Sequence, residues 1–414
     1  MENTETMTVE ERDSSRSVPS RPHTLARAPL VLSEIFPPTK GGSGKWLSEI
    51  YARIGCFSGV MVVGTPPQVG SDFDDQRYPK PILREDLSMS FRGLANVSSL
   101  FAYGRIFRRV SHLVRLHRAT EIHAARPLFE GLVARWIKWR WGIPYLCFVH
   151  GEDINVAMTS RELSLLTASV LNNADKLIAN SSFTQELLLS DWRIPLNRIQ
   201  LMHPGVDCEF FQPLPVCTPR QFFPQDRRVL LTVGRLQERK GHDTLLMGMP
   251  SIRERHPDVL YAIAGDGEQR PKLQRLVEKL NLQEHVRFLG EIDDSKLRQC
   301  YRESDLFVLP NRSVGKDVEG FGIVLLEAQA CGKPVIAGRS GGTKDAIDDG
   351  ETGLLVDCQN PESPGELVNA ICDLLGNAER LRVFGEAARS FVKNTFHWPI
   401  LAQQAEHALA LSTQ

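Results

Sequence analysis

The stretch EGFGIVLLEAQA, Glu319 to Ala330, decides how the second half of the chain is read. Its centre, Phe321-Gly322-Ile323-Val324-Leu325-Leu326, is apolar and leads into Ala328-Gln329-Ala330 with the period of a buried helix start. Two carboxylates, Glu319 and Glu327, frame this start, and Gly320 and Gly322 interrupt it. Such a frame fills a core poorly. It suits a pocket for a hydroxyl-rich, phosphorylated ligand. A helix N-terminus offers unpaired N–H groups and a positive dipole end. Glycine lets a ligand approach the backbone, and carboxylates accept hydrogen bonds from sugar hydroxyls.

Outward from this point, short apolar runs alternate with helical patterns. In the first half the candidate strands are residues 30–36, 59–63, 121–124, 145–149, 176–179 and 199–202. In the second half they are residues 229–233, 259–264, 286–289, 306–309, 334–337 and 354–356. Alternation of this kind predicts α/β architecture with parallel sheets covered on both faces, in two doubly wound, Rossmann-like domains. A Pro- and Phe-rich segment, PGVDCEFFQPLPVCTPRQFFPQD, places the seam near residue 207. The expected organisation is a disordered tail over 1–29, a first domain over 30–206, a second over 207–390, and a C-terminal helix over 391–414. In such sheets ligands bind at the carboxyl ends of strands.

A length of 414 residues fits two domains, and 42% hydrophobic with 24% charged residues is globular composition. A net charge of −1 argues against a nucleic-acid-binding polycation. The eight cysteines include no C-x-x-C pair, which reads as reduced thiols in a cytoplasmic protein. No apolar run reaches the length of a membrane span, and the N-terminus has no signal-peptide core.

Several strand ends carry candidate chemistry. FPPTKGGSGKW places Gly41 and Gly42 after the first strand. It fails as a P-loop, because Thr39 stands where the first Gly belongs and Trp46 where a hydroxyl residue should bind magnesium. VHGED puts His150, Glu152 and Asp153 together, read either as a cleft edge or as ordinary helix capping. VGRLQERKG follows Gly234 with Arg235 and Lys240, two cations able to neutralise a pyrophosphate; Arg239 reads as surface. DFD at Asp72–Asp74 spells a metal-binding D-x-D but lies among turn residues, and reads as a solvated loop. Leu87–Arg118 carries six arginines, interleaved aromatic and aliphatic residues and no acid, which suits an anionic membrane surface. The Trp-rich run LFEGLVARWIKWRWG reads instead as a sheet-covering helix.

The ordered motifs GR-x4-KG at Gly234, AGDGEQRPKL at Ala264, VRFLGEI at Val286, DLFVLP at Asp305 and EGFGIVLLEAQACGKPVIAG at Glu319 resemble glycosyltransferase family 4. GVDCEFFQP at Gly205 resembles that family's entry to its second domain, and the resemblance extends from about residue 30 onward. The block from Asp317 is especially similar to phosphatidylinositol mannosyltransferases and related GDP-mannose-dependent enzymes. The resemblance implies the GT-B fold, two domains facing across a cleft. It implies a retaining, metal-independent hexosyltransferase with a nucleoside diphosphate sugar donor and no other cofactor. Arg235 and Lys240 would bind the donor pyrophosphate, Glu327 the ribose hydroxyls and Glu319 the transferred sugar. Gly234 would open the pyrophosphate loop. Backbone amides at Phe321, Gly322 and Ile323 would contact the sugar or distal phosphate. The Gly41-Gly42 loop would approach the diphosphate, and His150 would lie under the sugar near the reacting carbon. The family is described as front-face, so Glu319 is assigned binding rather than nucleophilic attack. The acceptor would be lipid-linked or a glycan, in cell-envelope glycoconjugate or polysaccharide synthesis. The basic first domain would bring the enzyme peripherally to the inner face of the cytoplasmic membrane. Two other classes share the architecture: a sugar-nucleotide epimerase and a non-catalytic nucleotide-sugar-binding protein.

Overall fold

The structure, a computed structural model, describes residues 27–39, 41–55, 58–65, 75–89, 91–215 and 218–411. The Asp72–Asp74 motif and nearly all of the expected tail lie outside these residues. Seven strands form the first sheet: β1 (Pro29–Ser33), β2 (Val60–Gly64), β3 (Ile82–Glu85), β4 (Glu121–Ala124), β5 (Tyr145–Val149), β6 (Lys176–Ala179) and β7 (Ile199–Leu201). Six form the second: β8 (Arg228–Val233), β9 (Val259–Ala264), β10 (Val286–Gly290), β11 (Leu306–Leu309), β12 (Val335–Gly338) and β13 (Gly353–Val356). All ladders between them are parallel.

The strand orders are β3-β2-β1-β4-β5-β6-β7 and β10-β9-β8-β11-β12-β13. Both sheets are doubly wound. The direction of winding reverses between β1 and β4 in one and between β8 and β11 in the other, where crevices open at the strand ends. Central strands such as β1, β2, β5 and β9 are buried along their whole length. This is why they read as unbroken apolar runs.

Helices cover both faces of each sheet. Ile106, Val110 and Leu113 of Val97–Leu116 pack on one face of the first, with Val133 and Ile137 of Leu132–Trp141. The opposite face is closed by Trp46, Leu47 and Ile50 together with Trp398, Leu401 and Ala405 of the C-terminal helix Trp398–Ala408. The helix just before it, Ala378–Thr395, packs on Ile323–Ala330 of the second domain. The chain therefore passes between the domains twice, at Val206 and at His397, and these two residues form a parallel bridge. No helix among the described residues is long and apolar enough to cross a membrane. All six described cysteines are free and buried.

Candidate active site

Four strand ends supply the site. The loop after β8 carries Gly234 to Lys240, and the loop after β11 carries Asn311 to Gly322. The first domain contributes the loop after β1, with Gly41 and Gly42, and the end of β5, with His150. The two domains touch here. A Cβ on Gly320 would lie 2.3 Å from the His150 carbonyl oxygen, so only glycine fits. Gly42 faces the Ile323 side chain, within van der Waals distance of a Cβ. Gly322 caps the helix Ile323–Ala330 at φ 90°, a left-handed position that glycine alone adopts without strain. The amides of Phe321, Gly322 and Ile323 make no hydrogen bond among the described residues. They are open donors at a helix start.

Glu319 is the electrostatic centre. It is 8% exposed, and its Oε2 lies 2.7 Å from Lys240 Nζ and 2.5 Å from Arg239 Nη1. Burial alone would raise its pKa, but the two cations overcome that and hold the carboxyl at about 2. Arg239 corrects the surface reading made from sequence. It is 3% exposed, reaches Glu152 Oε2 of the first domain at 3.1 Å, and stands 3.0 Å from Asp317 Oδ1. A solvated turn does not need three carboxylates around one guanidinium; a buried arginine does. Arg235 is the exposed cation of the loop, without an ion pair among the described residues, and its charge is felt at both Glu152 and Asp317.

Glu327 sits at the other end of the helix start, 4% exposed. Tyr301 donates its hydroxyl to Oε2 at 2.8 Å, and Lys45 of the first domain approaches Oε1 at 2.6 Å. Sequence reading named neither partner. Tyr301 was hidden because a tyrosine at the apolar spacing of a covering helix reads as core. Lys45 was hidden because it stands at the lysine position of a P-loop pattern that fails and its partner is 282 positions away.

The VHGED segment performs both roles considered for it. Asp153 Oδ1 accepts from the amides of His150 (3.2 Å) and Ile154 (2.8 Å), which stabilises the start of helix Glu152–Ala157. Glu152 instead crosses to Arg239. The His150 ring meets Trp46 edge-on at 5.4 Å, and its Nε2 donates to the Ala125 carbonyl at 2.9 Å. Burial depresses the imidazole pKa below its usual 6.5, so the ring is neutral at pH 7 and Nδ1 is its acceptor.

The site thus pairs buried carboxylates with cations and free amides around one crevice, across from a neutral imidazole. This chemistry grips hydroxyls and phosphates together. Residues 218–391 match the family described as glycosyl transferases group 1, and residues 70–210 match glycosyltransferase family 4. The chain is 30% identical over 383 residues to the GDP-mannose-dependent alpha-(1-6)-phosphatidylinositol monomannoside mannosyltransferase of Mycobacterium tuberculosis, covering 90% of this chain and 95% of that one. The chain belongs to glycosyltransferase family 4. The family 4 enzyme is also 28% identical, over 396 residues, to the GDP-mannose-dependent monoacylated alpha-(1-6)-phosphatidylinositol monomannoside mannosyltransferase of Corynebacterium glutamicum, covering 93% of this chain and 98% of that one. Among solved structures it resembles sucrose-phosphate synthase from Thermosynechococcus elongatus, with a TM-score of 0.77 at 23% identity. That match covers 92% of this chain and 98% of the other, and it speaks to the fold: the glycosyltransferase is GT-B.

Proposed function

We propose that this glycosyltransferase moves a mannosyl group from GDP-mannose, with retention of configuration, to a lipid-linked or glycan acceptor of the cell envelope, without a metal. The observation that carries this reading is the buried, ionised Glu319, held by Lys240 and by Arg239, which also reaches Glu152 of the first domain. Its other oxygen is left to accept hydroxyls of the transferred sugar. Glu327 takes the ribose hydroxyls. Arg235 and Lys240 bind the diphosphate in the loop opened by Gly234, and the amides of Phe321, Gly322 and Ile323 face the sugar or distal phosphate. Gly41 and Gly42 bring first-domain backbone to the same phosphates, and His150 lies beneath the sugar.

The step breaks the bond between the anomeric carbon and the diphosphate oxygen. Negative charge grows on the phosphate, where Arg235, Lys240 and the helix start receive it. The acceptor hydroxyl attacks from the face the phosphate leaves, and its proton passes to that phosphate. Similarity to GDP-mannose-dependent enzymes favours mannose and guanine. A panel of GDP- and UDP-sugars with envelope lipid extract tests this, scored by nucleotide release and product mass. GDP-mannose should give a mannosylated product, undiminished by a chelator. Turnover only with a UDP-sugar, or only with added metal, overturns the corresponding part.

The membrane expectation belongs to the same proposal. On helix Val97–Leu116, Val97, Leu100 and Phe101 are 66%, 51% and 76% exposed, and Phe91 beside them is 60% exposed. Arg108, His112, Arg115 and Arg118 are exposed along the same segment. Two of its other arginines are neutralised locally, Arg105 by Asp86 and Arg109 by Glu85. In the Trp-rich segment Trp136 packs on Tyr103 and Phe107, and Trp141 stacks on Phe107 at 5.7 Å, consistent with a covering helix; Trp139 alone is strongly exposed. The apolar edge with free arginines behind it suits an anionic bilayer. Leu100→Glu with Phe101→Glu should weaken sedimentation with anionic vesicles by at least about tenfold, from lost apolar insertion and added repulsion. Unchanged vesicle binding removes this part of the proposal.

A further inference from the structure

Among the described residues, the ion pair between Lys45 and Glu327 joins the domains through a carboxylate that the proposed function gives to the donor. It rests on the reading of Glu327 as the ribose grip. Both oxygens of that carboxylate are occupied, by unequal partners. Tyr301 is buried completely and belongs to the same domain, so its 2.8 Å bond to Oε2 is part of the wall. Lys45 comes from the first turn of helix Gly42–Arg53, and its side chain keeps 41% of its exposure. Its ammonium stands over the Phe211 ring at 5.2 Å. The charge of Glu327, aided by Asp294 and Glu49, outweighs burial and raises its pKa, so the amine stays protonated.

A ribose diol that donates to Glu327 needs Oε1, and only the lysine can leave it. We propose that Lys45 is a donor-contacting residue of the first domain that exchanges partners on binding. In the empty enzyme it neutralises Glu327. When the ribose displaces it, the ammonium turns to the diphosphate, which the proposed function sets beside the Gly41-Gly42 loop, three residues before it in the chain. A protonated amine on a flexible stem can make this move, where a rigid guanidinium fork on the same carboxylate would resist it. The exchange also links occupancy of the donor site to the position of the first domain.

The exchange makes phosphate-bearing and phosphate-free ligands respond differently. In Lys45→Met nothing occupies Oε1 beforehand, so a nucleoside no longer has to displace a cation. A nucleoside diphosphate loses its ammonium partner. The test is calorimetric titration of the full chain with GDP and with guanosine. Lys45→Met should bind GDP at least about tenfold more weakly, as expected for loss of a charge-assisted contact. Guanosine should bind equally or more tightly. Equal weakening of both ligands, or unchanged GDP affinity, overturns the proposal and leaves the pair as a structural staple. Comparison of GDP with 2′-deoxy- and 3′-deoxy-GDP on the wild-type enzyme separates the two levels. Loss of discrimination against both deoxy analogues would show that the ribose reading of Glu327 has failed. Retained discrimination with the wrong Lys45→Met result would show that only the exchange has failed.

Discussion

Glu319→Ala is expected to abolish measurable transfer and to destabilise the fold by about 3–5 kcal/mol, the cost of leaving a buried charge without its counter-ion. Arg239 and Lys240 are 3% and 8% exposed, and both spend their shortest contact on this carboxylate. The loss should show as a lowered denaturation midpoint together with absent nucleotide release. A second variant separates the two effects. Adding Arg239→Met to Glu319→Leu removes one orphaned cation and restores apolar volume, so stability should partly return while transfer does not. Recovery of transfer would mean that Glu319 serves the fold alone. The sign of the pH effect is also set. The folded pKa of about 2 lies below the unfolded carboxylate value, so this group's stabilisation is complete above about pH 4.3 and disappears as pH falls towards 2. Glu319→Gln should therefore flatten the acid limb of the stability curve.

Lys240→Ala should behave differently. Arg239 still holds Glu319, so the folded state survives with a modest change in midpoint. Charge developing on the departing phosphate loses a buried cation, and kcat/KM should fall by about 10²–10³-fold, the usual scale for removing one preorganised electrostatic group. Assay of nucleotide release at saturating acceptor reads this directly. Wild-type turnover in Lys240→Ala would place the phosphate elsewhere.

The sheets were legible because their physics is local. All twelve strands expected from apolar runs are present, within a few residues at their ends, and the one further strand among the described residues, β3, explains itself. Ile82–Glu85 is half-buried throughout and ends in Arg84 and Glu85, so it lacks the apolar run by which the central strands were found. As an outer strand it pairs on one side only. In the candidate site, the structure brings together residues read from glycine and charge at strand ends, such as Gly234, Lys240 and Glu319. The site was illegible where meaning depends on distant partners. Arg239 and Lys240 are neighbours in sequence and both are buried, yet only Lys240 sits in the motif position. Arg239 is held by Glu319 and Asp317, about 80 residues on, and by Glu152, 87 residues away in the other domain. No periodicity encodes that distance.

The double passage between domains has a consequence for how this chain could have been assembled or rearranged. A polypeptide that crosses once can be divided at the crossing into two independent modules. Here the last helix supplies Trp398, Leu401 and Ala405 to the first domain's core, and Val206 and His397 run side by side. The N-terminal half, released by a single cut near residue 206, would lose the cover that Trp398, Leu401 and Ala405 give to helix Gly42–Arg53. Exchange of halves between related enzymes would therefore have to carry both ends of the chain as one unit, with the sugar-nucleotide half as an insertion between them.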